Sequence, residues 1–262
     1  PEREIIGIVP KQYIVDGLEG IHDPRGMIGV RLEVEAIVVT GAKTAIHNLI
    51  RCVERAELKA AGLILTPLAA GHLALTKDEK NLGTVLVDIG AGTTTITLFE
   101  EGTIAATSTL PIGGEYVTND IAIGLRTQLE IAEKIKLKYG CALVADADPA
   151  TTFKVTRLGS NVEKEFSQQD LASIIEPRLQ EMFELIRAEV RRMKNGEPAG
   201  GYVLAGGTVS MPSVAVLAQA VLESSVRIAS PDFVGVREPS FAGGVGIIAY
   251  VAKFLRTRGT LS

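Results

Sequence analysis

With 262 residues, 46% of them hydrophobic, the chain has apolar material enough for a substantial core or for two lobes. A formal net charge of −4, with no basic run interleaved with aromatics, argues against a nucleic-acid surface. Cys52 and Cys141 read as buried, reduced thiols of a cytosolic protein, and His22, His47 and His72 lack zinc spacing; the opening residues do not read as a signal peptide, and no apolar run reaches the ~18 residues of a membrane span.

Taken in order, Ile5–Val9 and Leu32–Val39 read as strands, and the run from about Thr44 to Glu57 as a helix whose Ala45, Leu49, Ile50 and Val53 share a buried side. Gly62–Leu65 reads as a further strand, and Thr76 as the cap of a short turn holding Asp78 and Glu79. The strand Val85–Val87 then runs straight into Asp88-Ile89-Gly90-Ala91-Gly92-Thr93-Thr94, before another strand over Thr94–Phe99. That pattern suits a phosphate clamp. Gly90 and Gly92 let the backbone turn with its N–H groups toward an anion, the Thr93 and Thr94 hydroxyls donate to phosphate oxygens, and Asp88 holds a hydrated divalent cation. An ordinary tight β-turn fits the same residues.

From Ser167 to Met193 the apolar residues keep a helical period, which reads as one long amphipathic helix with Pro177 as a kink or break near its start. The strand Gly201–Ala205 leads into Gly206-Gly207-Thr208, then Pro212 and a helical pattern over Val214–Leu222. With no side chain at Gly206 or Gly207, the backbone can approach a flat ring or a phosphate, and the helix that follows favours an anion at its start. Neither the Walker A pattern nor the GxGxxG fingerprint is present. Two strand-glycine-turn elements instead suggest two walls of one cleft in an α/β arrangement.

At these motifs the chain resembles the superfamily of actin, sugar kinases and heat-shock-chaperone ATPases. Asp88–Thr93 matches its second phosphate motif, Gly206-Gly207-Thr208 its adenosine motif, and Glu238–Ile248 its late glycine-rich connecting helix. Leu110–Asp120 is similar to the Gly-Gly-Glu loop that follows the phosphate hairpin. Within that superfamily the chain resembles the FtsA family of bacterial actin-like division proteins. Ile8–Asp16, Gly20-Ile21 and Pro24–Glu33 look like the end of the family's 1C insertion. The likeness continues through Val53-Glu54-Arg55, Leu75–Glu79, Lys136–Ala142 and Ile174–Arg178, and so covers nearly the whole chain.

The resemblance implies an actin-like (ribonuclease H-like) ATPase fold with an FtsA-type 1C insertion and an incomplete first lobe. Residues 1–58 correspond to the rear part of subdomain 1C, 59–84 to part of 1A, 85–115 and 199–240 to subdomain 2A, 116–198 to 2B, and 241–262 to a return to 1A. Family members begin upstream with a first phosphate motif, another Asp-Ile-Gly hairpin, so the chain is expected to be truncated.

The same resemblance implies ATP and magnesium as cofactors. Asp88 is expected to hold magnesium through water, Gly90, Gly92, Thr93 and Thr94 to contact the β- and γ-phosphates, and Gly206, Gly207 and Thr208 to lie against adenosine. Glu133 and Lys136 resemble the Glu-x-x-Lys pair with which chaperone ATPases grip ribose and adenine, although i, i+3 spacing suits a solvated helical face equally well. One segment departs from the wider pattern. Chaperones and MreB-type actins carry Glu-Pro-x-Ala-Ala-Ala where this chain has Thr66-Pro67-Leu68-Ala69-Ala70-Gly71-His72, so Thr66 stands in place of the glutamate that orients the attacking water. Hydrolysis is therefore expected to be slow or absent, with His72 a turn-facing or packed imidazole rather than a substitute base.

The FtsA family polymerises like actin, binds the C-terminal peptide of the tubulin-like FtsZ on 2B, and reaches the inner membrane through a C-terminal amphipathic helix. On this chain the candidate peptide contacts are Arg178, Arg187 and Arg191, with Arg192 beside them; a solvated face is the alternative. Phe254–Ser262 is too short to be the membrane helix. The expected location is the cytoplasmic face of the inner membrane at the division site, through an anchor not visible in this chain. A PilM-like adaptor of pilus assembly and a small-molecule kinase of the same superfamily stay open as alternatives.

Overall fold

The computed structural model describes residues 2–159, 163–233 and 235–257, and the chain divides into two compact units, Pro1–Leu65 and Thr66–Ser262. In the first unit, β1 (Arg3–Val15), β2 (Leu18–Ile21) and β3 (Leu32–Ala42) form an antiparallel sheet in the order β2-β1-β3. Both predicted strands are present, and longer than expected. Asp16 at φ 49° and Gly17 at φ 86° make the turn out of β1, and the Asp16 carboxylate accepts hydrogen bonds from the Val30 and Arg31 amides.

Helix α1 (Lys43–Arg55) begins directly after β3. The face it buries is centred on Ile46, with Ile50 and Val53 partly covered, and not on Ala45 and Leu49, which are exposed. Gly41 explains the choice: a Cβ there would come within 2.8 Å of Ile46 Cδ1, so the isoleucine packs into the space that the glycine leaves. Cys52 is also exposed, contrary to the expectation of a buried thiol, whereas Cys141 is buried. Gly62–Leu65 forms no strand, because none of the described strands lies alongside to supply a ladder.

The second unit is built on a five-stranded sheet, β10-β9-β4-β5-β6. Its elements in chain order are α2 (Thr66–Ala74), α3 (Lys77–Leu82), β4 (Thr84–Ile89), β5 (Thr94–Glu100), β6 (Thr103–Leu110), α4 (Gly114–Leu125) and α5 (Leu129–Tyr139). There follow the hairpin β7 (Thr152–Thr156) and β8 (Glu163–Ser167), then α6 (Gln168–Met193), β9 (Tyr202–Ala205), α7 (Val214–Leu222), β10 (Val226–Ile228) and α8 (Ala242–Thr257). Strands β4, β9 and β10 run parallel, while β4, β5 and β6 are an antiparallel meander.

Helices cover both faces of this sheet. Val85, Val87 and Ile89 pair across with Leu98, Ile96 and Thr94, and this face packs on α4, α6 and α7 through residues such as Leu171, Met182, Phe183 and Leu217. The other face carries Leu86, Asp88 and Phe99, following the two-residue alternation of a strand. Phe99 lies against Gly71 of α2, where a Cβ would sit 2.1 Å from its ring. Helix α6 runs unbroken through Pro177, because buried side chains from Leu171 to Val190 hold one whole face against the sheet. The predicted cap forms, with Thr76 opening α3 in a reciprocal capping box, and Ser167 opens α6 in a second one. No helix among the described residues is long and apolar enough to cross a membrane. Residues 258–262, on which the expectation about the terminal segment Phe254–Ser262 partly rested, lie outside the described residues.

Candidate functional site

Because β4 and β9 are adjacent and parallel, with Asp88 beside Ala205, both glycine turns leave the sheet at the same edge. The carboxyl ends of parallel strands are where α/β sheets open ligand crevices. The two turns touch. Thr208 Oγ1 donates to the Gly90 carbonyl at 3.2 Å, and Gly206, at φ 95°, lies so close to β4 that a Cβ would stand 2.3 Å from the Ile89 carbonyl and 2.6 Å from Asp88 Oδ1. Only glycine meets both demands.

The hairpin at Gly90–Thr94 differs from expectation. Gly90 and Gly92 are not among the left-handed glycines, and the Gly90 amide donates to the Thr93 carbonyl at 2.9 Å, so it closes the turn instead of facing an anion. Thr94 is fully buried and its hydroxyl donates to the Ile112 carbonyl at 2.7 Å, which removes it as a phosphate contact. Gly92 and Thr93 stand exposed at the tip. The Gly114 and Glu115 amides donate to the Gly90 and Ala91 carbonyls, both at 2.9 Å, so the start of α4 is tied to the hairpin.

A cavity of about 740 Å³ opens beside these loops, within the range that holds a small-molecule ligand. Of the sequence-derived candidates, Gly90, Glu133, Lys136, Gly207 and Thr208 line it; Asp88 and Gly206 meet each other at the strand ends behind. Glu133 and Lys136 lie on α5 with an ion-pair distance of 2.7 Å, and Lys136 is buried. Burial by itself pushes the Glu133 carboxyl up, but hydrogen bonds from Lys136 and Thr118 outweigh it and leave its pKa below the usual value. Asp88 is half-buried and accepts no hydrogen bond from the described residues, and burial raises its pKa. A carboxylate in that state suits a hydrated cation, whose charge and water donors would supply what the chain does not.

Several lining residues escaped sequence reasoning. Gly114 lies under Thr208, where a Cβ would be 2.5 Å from Oγ1, and Thr118 stands one helical turn further along the same face of α4. The i, i+4 spacing after the Gly113-Gly114 pair was the available signal. Met211 and Pro212 complete an apolar wall for which the sequence offered none.

Away from the cavity, His72 sets its ring edge-on to Tyr250 at 5.8 Å, and burial first, then the Lys253 and Lys80 charges, lower its pKa. Of the two expected states, turn-facing or packed, it takes the packed one. The α6 arginines are already engaged: Arg178 by Asp120 and Glu181, Arg187 by Glu223, Arg191 by Glu197 and Arg192 by Glu189.

Residues 85–246 match the family described as Cell division protein FtsA, and residues 1–40 match the SHS2 domain inserted in FTSA. The chain is 48% identical over 258 residues to the cell division protein FtsA of Bacillus subtilis (strain 168), covering 98% of this chain and 59% of that protein. It thus spans about three fifths of the length of that curated relative. Among solved structures, it is similar to the MreB5 of Spiroplasma citri bound to ADP, with a TM-score of 0.68 and 15% identity over 84% of this chain and 69% of that one. It is also similar to the PilM-PilN type IV pilus biogenesis complex, with a TM-score of 0.66 and 19% identity over all of this chain and 68% of that one. Likeness at such identities is one of fold, and the fold is that of the actin-like ATPases.

Proposed function

The chain belongs to the FtsA family of cell division proteins, and from that premise we propose that it is an ATP-binding, actin-like division protein that links FtsZ filaments to the inner membrane at the septum. The observation that carries the nucleotide reading is the clasp between the two glycine turns, Thr208 on Gly90, beside a cavity of about 740 Å³ with an ion pair on one wall. In this reading the phosphates lie toward Gly92 and Thr93, the adenosine lies against Gly207 and Thr208, and Glu133 faces the ribose. Asp88 holds magnesium through water, and the ion, when bound, offsets phosphate charge.

The finer assignments follow the family pattern: residues 1–58 as 1C, 59–84 and 241–262 as parts of 1A, 85–115 and 199–240 as 2A, and 116–198 as 2B. Self-assembly into actin-like filaments, capture of the FtsZ tail peptide along α6 and attachment to the cytoplasmic face of the membrane belong to the same proposal. The pairing of Arg178, Arg187 and Arg191 with the chain's own acids means that a peptide would compete for charges already in use, which favours fast, salt-sensitive capture over tight binding. Low turnover is part of the reading, because Thr66 at the start of α2 has no carboxylate with which to orient water. The pilus-adaptor reading rests on fold likeness alone, and the kinase reading has no observation in its favour.

Calorimetric titration with Mg-ATP tests the core of the proposal. Saturable one-to-one binding is expected, weakened about tenfold or more in Asp88→Asn, with phosphate release far slower than exchange. No saturable binding would remove the nucleotide reading, and brisk multiple turnover would remove the low-turnover part.

A further inference from the structure

Lys136 is buried in the cavity wall, and an ammonium has three protons to give. All three find acceptors inside the chain: the Gly114 carbonyl at 3.1 Å, Thr118 Oγ1 at 2.9 Å and Glu133 Oε2 at 2.7 Å. None is left over for a nucleotide. Thr118 Oγ1 also lies 3.1 Å from the Gly114 carbonyl and within hydrogen-bond reach of Glu133 Oε2. A hydroxyl has a single proton, and the nearer, charged carboxylate is its stronger acceptor. Thr118 is therefore the centre of a network that ties the first turns of α4 to α5. Glu133 Oε2 is filled by Lys136 and Thr118, whereas Oε1 accepts nothing from the described residues, and the Glu133 side chain remains 42% exposed on the cavity wall.

We propose that Thr118 is a positioning residue for nucleotide binding: its hydroxyl, with Lys136, fixes one oxygen of Glu133 so that the other faces the cavity as an acceptor for the paired hydroxyls of a ribonucleotide. The inference rests on the reading of this cavity as the ATP site. It gives Lys136 a role different from the one the family pattern implies, since the ammonium holds the carboxylate in place and does not itself touch the ligand. Threonine suits the position because its hydroxyl accepts from an ammonium and donates to a carboxylate at once, with its methyl group buried in the helix packing.

The test is titration of ATP and of 2′-deoxy-ATP into the wild-type protein, Thr118→Val and Thr118→Ser, with ligand-free melting temperatures measured alongside. Wild type is expected to prefer ATP. Thr118→Val, which keeps the shape and removes the hydroxyl, is expected to lose about tenfold in ATP affinity and to bring the ATP to deoxy-ATP ratio toward one, and Thr118→Ser to restore both. A ratio unchanged in Thr118→Val overturns the proposal whatever the affinity does, as does failure of the serine to restore it. Should Thr118→Val not fold, Glu133→Gln takes its place, and a ratio unchanged there is equally fatal. Wild type that binds ATP without discriminating against the deoxy form sinks the positioning role and spares the cavity reading; wild type that binds neither sinks both.

Discussion

The two sheets of this protein use similar residues to opposite effect. In β1 and β3 of the first unit, Ile5, Ile8, Leu32, Val34 and Val38 are each more than half exposed, whereas Val85, Leu86, Val87 and Ile89 of β4 in the second are almost wholly buried. Strand-forming residues are abundant in both. What differs is the number of layers: among the described residues a single helix accompanies the sheet of the first unit, while the sheet of the second has helices on each face. A strand buried on both faces can be apolar without interruption, and one covered on a single face buries only alternate residues.

The same comparison ranks what substitutions should do. The largest effect is expected at Gly206, where alanine must bear a left-handed φ and press its Cβ onto a backbone carbonyl that cannot withdraw. Gly206→Ala should cost about 3 kcal/mol or more by chemical denaturation and abolish the nucleotide binding proposed for the cavity. Phe183→Ala, in the middle of the second core, should cost about 3–5 kcal/mol, while Val38→Ala in the first unit should stay within about 0.5 kcal/mol. Equal losses at those two positions would break the comparison.

A modest effect, far below that of Phe183→Ala, is expected at the edge of the second sheet. Arg227 on β10 holds Glu79 through two hydrogen bonds, at 2.7 and 2.8 Å, and that contact, with help from Thr76, keeps the Glu79 pKa below its usual value. A carboxyl whose folded pKa is depressed contributes stability above its unfolded pKa and loses it as pH falls through the folded one. Arg227→Met should therefore lower stability by at most about 1 kcal/mol at neutral pH and flatten the decline on acidification, as pH-dependent urea midpoints would show. A steeper acid limb in the variant would contradict the assignment.

Much of the second unit was legible because its signals are local. Thr76 announces the start of α3 by cap chemistry, and the spacing from Leu171 to Val190 survives Pro177 because so many contacts agree. Less could be read where the outcome depends on how the elements pack and which hydrogen bonds the folded turn closes. The helix after β3 turned its buried side to Ile46 because of Gly41, and Gly62–Leu65 stayed out of any sheet for want of a neighbour. In the site, Gly90 and Thr94 carry the right chemistry for phosphate, yet their amide and hydroxyl are consumed by Thr93 and Ile112.

The amino-acid order by itself determined the α/β class, the two glycine turns and the family, since these depend on residue types at short spacing. Only the tertiary structure decided which polar groups remain free to meet a ligand: a hydrogen-bonding group can serve the fold or the ligand, and which one it serves depends on what the folded chain brings within 3 Å or so of it.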